Sequence, residues 1–197
     1  MKRVLTLVLC VCAVFCMTTL ARAEALSGEV IRLHVVADSG SAEDLAAKNA
    51  VRDAILEAYF GGGQEDLSAA REYIMQNLDG IRALAEKTLR ELDKSVPVSV
   101  HFGLRRLPEK DYGSFSLPAG RYETLTVTLG EGEGSNWWCV LYPPLCVVPA
   151  AALRETAEEA GISEQGIAMM TGRGEEIRLR FKLLEIFSEM DKAVFGR

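Results

Sequence analysis

The run Val96-Pro97-Val98-Ser99-Val100-His101-Phe102-Gly103-Leu104-Arg105 alternates apolar and polar residues from end to end. Successive side chains of a strand point to opposite faces, so the run predicts a half-buried β-strand with Val96, Val98, Val100, Phe102 and Leu104 on the apolar face. Pro97 has no N–H to give to a ladder and favours the start of a strand or the edge of a sheet. Tyr122 to Leu129 repeats the pattern, with Leu125, Val127 and Leu129 opposed by Thr124, Thr126 and Thr128. Glu29 to Ala37 does so again, with Ile31, Leu33, Val35 and Ala37 on one face and Arg32 and His34 on the other.

Helical spacing fills the gaps between these strands. Ser41 followed by Asp44 resembles a capping box, and Ala47, Ala50, Val51, Ala54, Ile55 and Ala58 continue a helix that Gly61-Gly62-Gly63 ends. A second, longer helix is predicted from Glu65 to Leu92 on the stripe Leu67, Ile74, Leu78, Ile81, Ala85 and Leu89, with Gly80 marking a bend or a break. Leu107 to Gly120 reads as a connection in which Phe115 and Leu117 could form a short strand. Further on, a helix is expected over Ala150 to Ala160, a strand around Ile177 to Lys182 and a helix after Leu183. The order β-α-α-β-β-β-α-β-α indicates a single α+β domain, with helices packed on one face of a mainly antiparallel sheet.

Both tryptophans, two adjacent prolines and two cysteines collect in Asn136-Trp137-Trp138-Cys139-Val140-Leu141-Tyr142-Pro143-Pro144-Leu145-Cys146. Gly130-Glu131-Gly132-Glu133-Gly134 precedes them and reads as a flexible approach. Trp137 to Tyr142 is expected to be a strand stopped by the prolines. Alternation turns one tryptophan inward and leaves the other, with Tyr142, Pro143 and Pro144, as a candidate exposed recognition patch.

Residues 1–23 read as a secretory signal: Lys2 and Arg3, an apolar run of about 17 residues, then Ala21-Arg22-Ala23 as an A-x-A cleavage site. A retained anchor is the alternative, at the short limit for a spanning helix. Cleavage leaves 174 residues, removes three of the 22 basic residues and none of the 28 acidic ones, and takes the formal charge from −6 to −9. An acidic chain argues against nucleic acid and anionic lipid as partners. Cys139 and Cys146 are the cysteines outside the signal, an even number that in an exported domain favours a disulfide. The loop closed would be about eight residues, worth roughly 2.5 kcal/mol. Free thiols and a metal site are the rival readings, although C-x6-C lacks a short metal spacing.

Catalytic motifs are sparse. His34 and His101 both fall in predicted strands, and a site would need them to meet across neighbouring strands near Asp38. No G-x-S-x-G elbow surrounds Ser39, and the glycine run lacks dinucleotide-binding spacing. Glu123, Glu131 and Glu133 near the tryptophans allow a sugar-cleaving pair, against the simpler reading of a solvated acidic loop. No catalytic residue, metal or cofactor is expected.

Three blocks resemble the stage II sporulation protein R family. They are Ile31-Arg32-Leu33-His34-Val35-Val36-Ala37-Asp38-Ser39 with Lys48-Asn49-Ala50-Val51-Arg52-Asp53-Ala54, then Leu117-Pro118-Ala119-Gly120-Arg121-Tyr122, then Gly130-Glu131-Gly132 through Cys146. Arg178-Leu179-Arg180-Phe181-Lys182-Leu183 is a weaker fourth. The family tends to have Asn-Ser-Asp where this chain has Asp38-Ser39-Gly40. The resemblance implies a non-enzymatic protein made in the forespore and exported into the space between forespore and mother-cell membranes. There it would trigger a membrane-bound aspartic protease of the mother cell that processes an inactive sigma factor. Trp137, Trp138, Tyr142, Pro143 and Pro144 are the expected contacts, with Cys139 and Cys146 holding the loop. An exported cell-wall hydrolase and a wall-binding module are the alternatives.

Overall fold

The computed structural model describes residues 17–18, 21–62, 64–145 and 148–172. The chain divides into two compact units, one of residues 29–105 and 122–161 and one of residues 1–28, 106–121 and 162–197. The larger unit holds a four-stranded sheet. Its strands are β1 (Ile31–Val36), β2 (Val98–Leu107), β5 (Gly120–Leu129) and β6 (Asn136–Tyr142), in the order β2-β5-β1-β6. Strand β1 runs parallel to β5, with Leu33 beside Leu125, and antiparallel to β6, with Leu33 beside Cys139. The Gly130 N–H donates to the Pro97 carbonyl at 2.8 Å, which sets the start of β2 against the end of β5 and makes that pair antiparallel. The sheet is thus mixed but mainly antiparallel, and the architecture is α+β as the sequence predicts.

Helices α1 (Ala42–Phe60), α2 (Leu67–Gln76) and α3 (Leu78–Glu91) cover one face. Ile31, Leu33 and Val35 of β1 and Leu125, Val127 and Leu129 of β5 join Val51, Ile55, Ile74, Ile81 and Leu89 of the helices in one core. Fully burying such an aliphatic side chain contributes about 1.5–3 kcal/mol. α1 starts where the capping box places it: the Asp44 N–H donates to Ser41 Oγ. Asp66 does the same for α2 through the Ala69 N–H.

The predicted helix from Glu65 to Leu92 is two helices, and the break falls at Asn77 rather than Gly80. Asn77 leaves helical geometry, and its Nδ2 donates to the Tyr73 carbonyl at 2.7 Å, closing α2 with a side chain. Gly80 lies in the first turn of α3, where the Tyr59 hydroxyl occupies the space a Cβ would need. β1 also departs from expectation. The alternation sets Arg32 and His34 on the face opposite Ile31, Leu33 and Val35, yet all six residues of β1 are buried. The strand is interior to the sheet and its second face is covered, so the polar pair is buried with the apolar one. Strand β2 lies at the edge, as Pro97 suggests, and alternates between half-buried and exposed residues from Val98 to Phe102; beyond Phe102 the alternation breaks, with Leu104 exposed and Leu107 buried.

Helix α4 (Leu153–Glu159) closes the larger unit and ends at Gly161, whose φ of 79° suits glycine. The predicted helix over Ala150 to Ala160 is therefore present but shorter. The smaller unit contains a helical stretch over 21–28, the β3 (Lys110–Asp111) and β4 (Ser116–Leu117) hairpin, and α5 (Glu164–Thr171). Tyr112 and Phe115 stack at 4.6 Å across the hairpin turn, and Leu117 is fully buried. The strand and helix expected from Ile177 onward lie outside the described residues, as does most of the predicted signal. No helix among the described residues is long and apolar enough to cross a membrane.

Candidate functional site

Strands β5 and β6 flank β1, so the chain between them must pass over the end of β1. Two strand spacings are roughly 10 Å, and the glycine-rich run covers them. It is pinned rather than flexible. The Glu131 N–H donates to Asp38 Oδ1 at 2.8 Å, the Glu133 N–H to the Asp38 carbonyl at 3.0 Å and the Gly134 N–H to the Ala37 carbonyl at 3.0 Å. Gly130 has φ of 57°, and a Cβ there would collide with the Asp38 carboxylate; at Gly134 it would collide with the Ser39 carbonyl. The crossover therefore needs glycine for close approach as well as for backbone conformation.

Helix α1 holds the crossover from the side. Lys48 is buried, and its Nζ donates to Ser135 Oγ at 2.8 Å and to the Ser135 carbonyl at 3.4 Å. Burial, with a smaller effect from Arg52, lowers the Lys48 ammonium pKa from its ordinary value. The turn below is fixed by Asp44, which accepts from Lys94 Nζ at 2.6 Å and from Ser39 Oγ. Hydrogen bonds from Lys94, Ser39 and Ser41 hold the Asp44 carboxyl at about 2.

The two tryptophans emerge from this anchored end of β6 on opposite faces, as strand alternation requires. Trp137 turns toward α1, where the Arg52 guanidinium lies 4.8 Å from a ring centroid. Arg52 is oriented by bonds to Asp53 at 2.7 and 2.9 Å and to Asn49 at 3.3 Å. Trp138 turns to the other face and stacks on the His34 imidazole at 3.7 Å and 7°. Arg32, fully buried, lies 5.4 Å from Trp138 and 4.8 Å from Tyr122. His34 Nε2 and Asn136 Oδ1 are hydrogen-bonded at 2.5 Å. Burial, followed by the Arg105 and Arg32 charges, pushes the imidazole below 6.5 despite the Asn136 bond. Each tryptophan is half-buried and offers the remainder of its ring to solvent.

Two of the remaining three residues of the expected patch are buried. Tyr142 is 3% exposed, sits in the core and donates its hydroxyl to the Ala160 carbonyl at 3.0 Å. Pro143 is buried after a cis Tyr142–Pro143 bond, and Pro144 is half-buried. β6 ends at Tyr142, immediately before the prolines, and burial takes Tyr142 and Pro143 out of the surface the sequence reading gives them. Cys139 is buried in β6, and Cys146 lies outside the described residues.

Residues considered for chemistry do not converge. His34 and His101 sit on β1 and β2 with β5 between them. Glu123 is opposite Ile31, whereas Trp137 is opposite Val35, so the carboxylate and the indole lie at opposite ends of β1. Glu123 instead accepts two-pronged bonds from Arg71 of α2, at 2.8 and 2.7 Å. Glu131 and Glu133 are exposed on the crossover. Among the described residues no group of three His, Cys, Asp or Glu side chains could hold a metal ion. Local pattern gives no role to Lys48, Ser135 and Asn136, whose hydrogen-bond partners are far away along the chain, or to Arg52, whose contact with Trp137 is equally distant.

The family model described as stage II sporulation protein R matches residues 27–152. The chain is 38% identical over 120 residues to the stage II sporulation protein R of Bacillus subtilis (strain 168), a stretch covering 60% of this chain and 54% of that protein. The match thus spans about half the length of that relative. No solved structure matches the chain.

Proposed function

The chain belongs to the stage II sporulation protein R family, and from that premise we propose that it is an exported signalling ligand. It acts in sporulation by switching on a membrane-bound aspartic protease of the mother cell, which then processes a pro-sigma factor. Residues 1–23 direct export, and Cys139 pairs with Cys146. The chain works in the space between the forespore and mother-cell membranes and meets the extracytoplasmic part of the protease. A ligand shifts such a target only by binding its active state more tightly.

The observation that carries this reading is the half-exposed pair Trp137 and Trp138, packed against Arg52 and His34 beside a crossover hydrogen-bonded to the turn after β1. Tryptophan and arginine dominate binding hot spots, and a pre-formed surface avoids much of the ordering cost of association. Arg52 therefore joins the two tryptophans as a contact, while Tyr142 and Pro143 lie toward the other end of β6.

The test is reconstitution. The chain, purified from the medium of cells that export it, is added to membranes holding the protease and its pro-sigma substrate. Cleavage that depends on the added chain supports the signalling role. A folded chain that leaves a competent protease idle refutes it and returns weight to the wall-directed readings.

A further inference from the structure

Lys48 and Arg52 lie four residues apart on α1 and share a face of it, while Ser135 and Trp137 lie two apart on the chain entering β6 and both meet α1. The two pairs form neighbouring rungs. Lys48 Nζ donates to Ser135 Oγ at 2.8 Å, and the Arg52 guanidinium lies 4.8 Å from a Trp137 ring centroid. Their charges are balanced differently. Arg52 has the Asp53 carboxylate at 2.7 Å, whereas none of the ion pairs among the described residues includes Lys48. Yet Lys48 is 6% exposed. Burial and the Arg52 cation both disfavour its charge, and no acid among the described residues offsets them. A buried ammonium without a counter-charge is costly, and holding Ser135 in place requires a donor rather than a charge. Ser135 itself is exposed, so the ammonium lies one hydroxyl away from solvent. Because Ser135 Oγ accepts from Lys48, its own O–H is left to donate outward and is polarised by the cation behind it.

We propose that the seam between α1 and the crossover receives one carboxylate, the side chain of an aspartate or glutamate on the extracytoplasmic part of the protease. The inference rests on the signalling role proposed above and names the chemistry of that contact. The Ser135 hydroxyl donates to the carboxylate, and Lys48 behind it supplies the counter-charge. Trp137, half-buried next to them, offers its ring to the stem of the same acidic residue. Arg52 keeps Asp53 and flanks the site as a second cation. The Lys48 charge is thus compensated only in the complex, so its pairing strengthens association rather than the free fold. The surroundings make the site selective. Glu131 and Glu133 are exposed on the same crossover, and the whole chain carries a formal charge of −6. A broadly acidic surface is repelled, and a lone carboxylate on a neutral or basic surround is admitted.

The test measures the chain concentration that half-activates the reconstituted protease, at about 0.05 M and about 0.3 M salt, which changes the screening length severalfold. Lys48→Met should raise that concentration about tenfold or more at low salt and by a smaller factor at high salt, with the maximal rate unchanged. Ser135→Asp is the second variant. It gives Lys48 a carboxylate of the chain's own at an exposed position, so it should raise the urea midpoint while weakening activation about tenfold or more. A merely structural Lys48–Ser135 contact predicts the same gain in stability with activation intact. Circular dichroism checks the fold, and if Lys48→Met does not fold, Ser135→Asp decides alone. A wild-type chain that leaves a competent protease idle overturns the signalling role and this inference with it. An active wild type with folded variants of equal potency overturns this inference alone. A Lys48→Met loss of the same factor at both salts marks a packing defect and overturns it too.

Discussion

Gly134→Ala tests whether the crossover is seated as described. The added methyl would collide with the Ser39 carbonyl and with Ala37 Cβ, both fixed by the backbone. Neither neighbour is the free end of a flexible side chain, so the crossover must retreat. Retreat loosens the Gly134 N–H bond to the Ala37 carbonyl and the Glu133 N–H bond to the Asp38 carbonyl, each 3.0 Å long. Two such bonds are worth about 1 kcal/mol apiece, and inserting a methyl into a filled site costs about 1–3 kcal/mol by itself. Because these are two accounts of one displacement, the expected loss is about 2–3 kcal/mol. That corresponds to roughly 4–12 °C in Tm for a chain of this size. Urea unfolding followed by circular dichroism measures it, with Gly40→Ala as the control. A Cβ at Gly40 meets nothing within 4 Å, and the same turn is involved. The control should stay within about 0.5 kcal/mol of wild type. Equal midpoints for Gly134→Ala and wild type would show that the crossover does not rest on the turn after β1, and the anchoring of Trp137 and Trp138 would lose its basis.

Replacing Trp137 and Trp138 together by alanine should abolish protease activation in the reconstituted system while the far-ultraviolet spectrum persists. Beyond the area each half-buried ring covers, its stacking or cation–π contact contributes about 0.5–1.5 kcal/mol, so the spectrum must show that the variant is folded before its activity is read. Full activation by that variant would remove the tryptophans from the contact surface. Tyr142→Phe should do the reverse: it strands the Ala160 carbonyl at a cost of about 1 kcal/mol and leaves activation intact, and a loss of activation without a loss of stability would return Tyr142 to the surface. Acid should destabilise the chain in two stages. The stability His34 supplies is whole above 6.5, because its folded pKa is lower than that value, and it declines as pH falls further. The stability Asp44 supplies is whole above 3.8 and is lost as pH falls through about 2. Midpoints measured from pH 7 to pH 2 should show both stages, and His34→Gln should flatten only the upper one; an unchanged upper stage in that variant would assign it to another group.

Much of the fold is legible locally. Ser41 and Asp44 announce the start of α1, and the alternation in β2, β5 and β6 marks each strand within a few residues. Long-range placement is what local pattern misses. Nothing in Glu29 to Ala37 says that β1 lies between β5 and β6, and that placement buries Arg32 and His34. Glycine content alone reads as flexibility, whereas Asp38 and Lys48, each roughly 90 residues upstream, hold the same segment still. The tryptophans were recognisable as unusual, and alternation correctly divides them between two faces. Tyr142 was misplaced because a strand end near two prolines looks like surface until α4 is known to receive its hydroxyl.

The position of β1 has a consequence for the order in which the chain can fold. Ile31 pairs with Glu123, and Val36 pairs with Thr128 and Asn136. A chain that emerges N-terminus first therefore presents its central strand long before either neighbour exists, and the first ladder bond must close a loop of about 90 residues. Such non-local closure is slow and comes late. α1 to α3 lie inside that loop and can form as local hairpins, but they have no sheet to cover until β5 arrives. The polypeptide stays threadable for most of its emergence and locks within a short interval, when the glycine crossover drops over the end of its oldest strand.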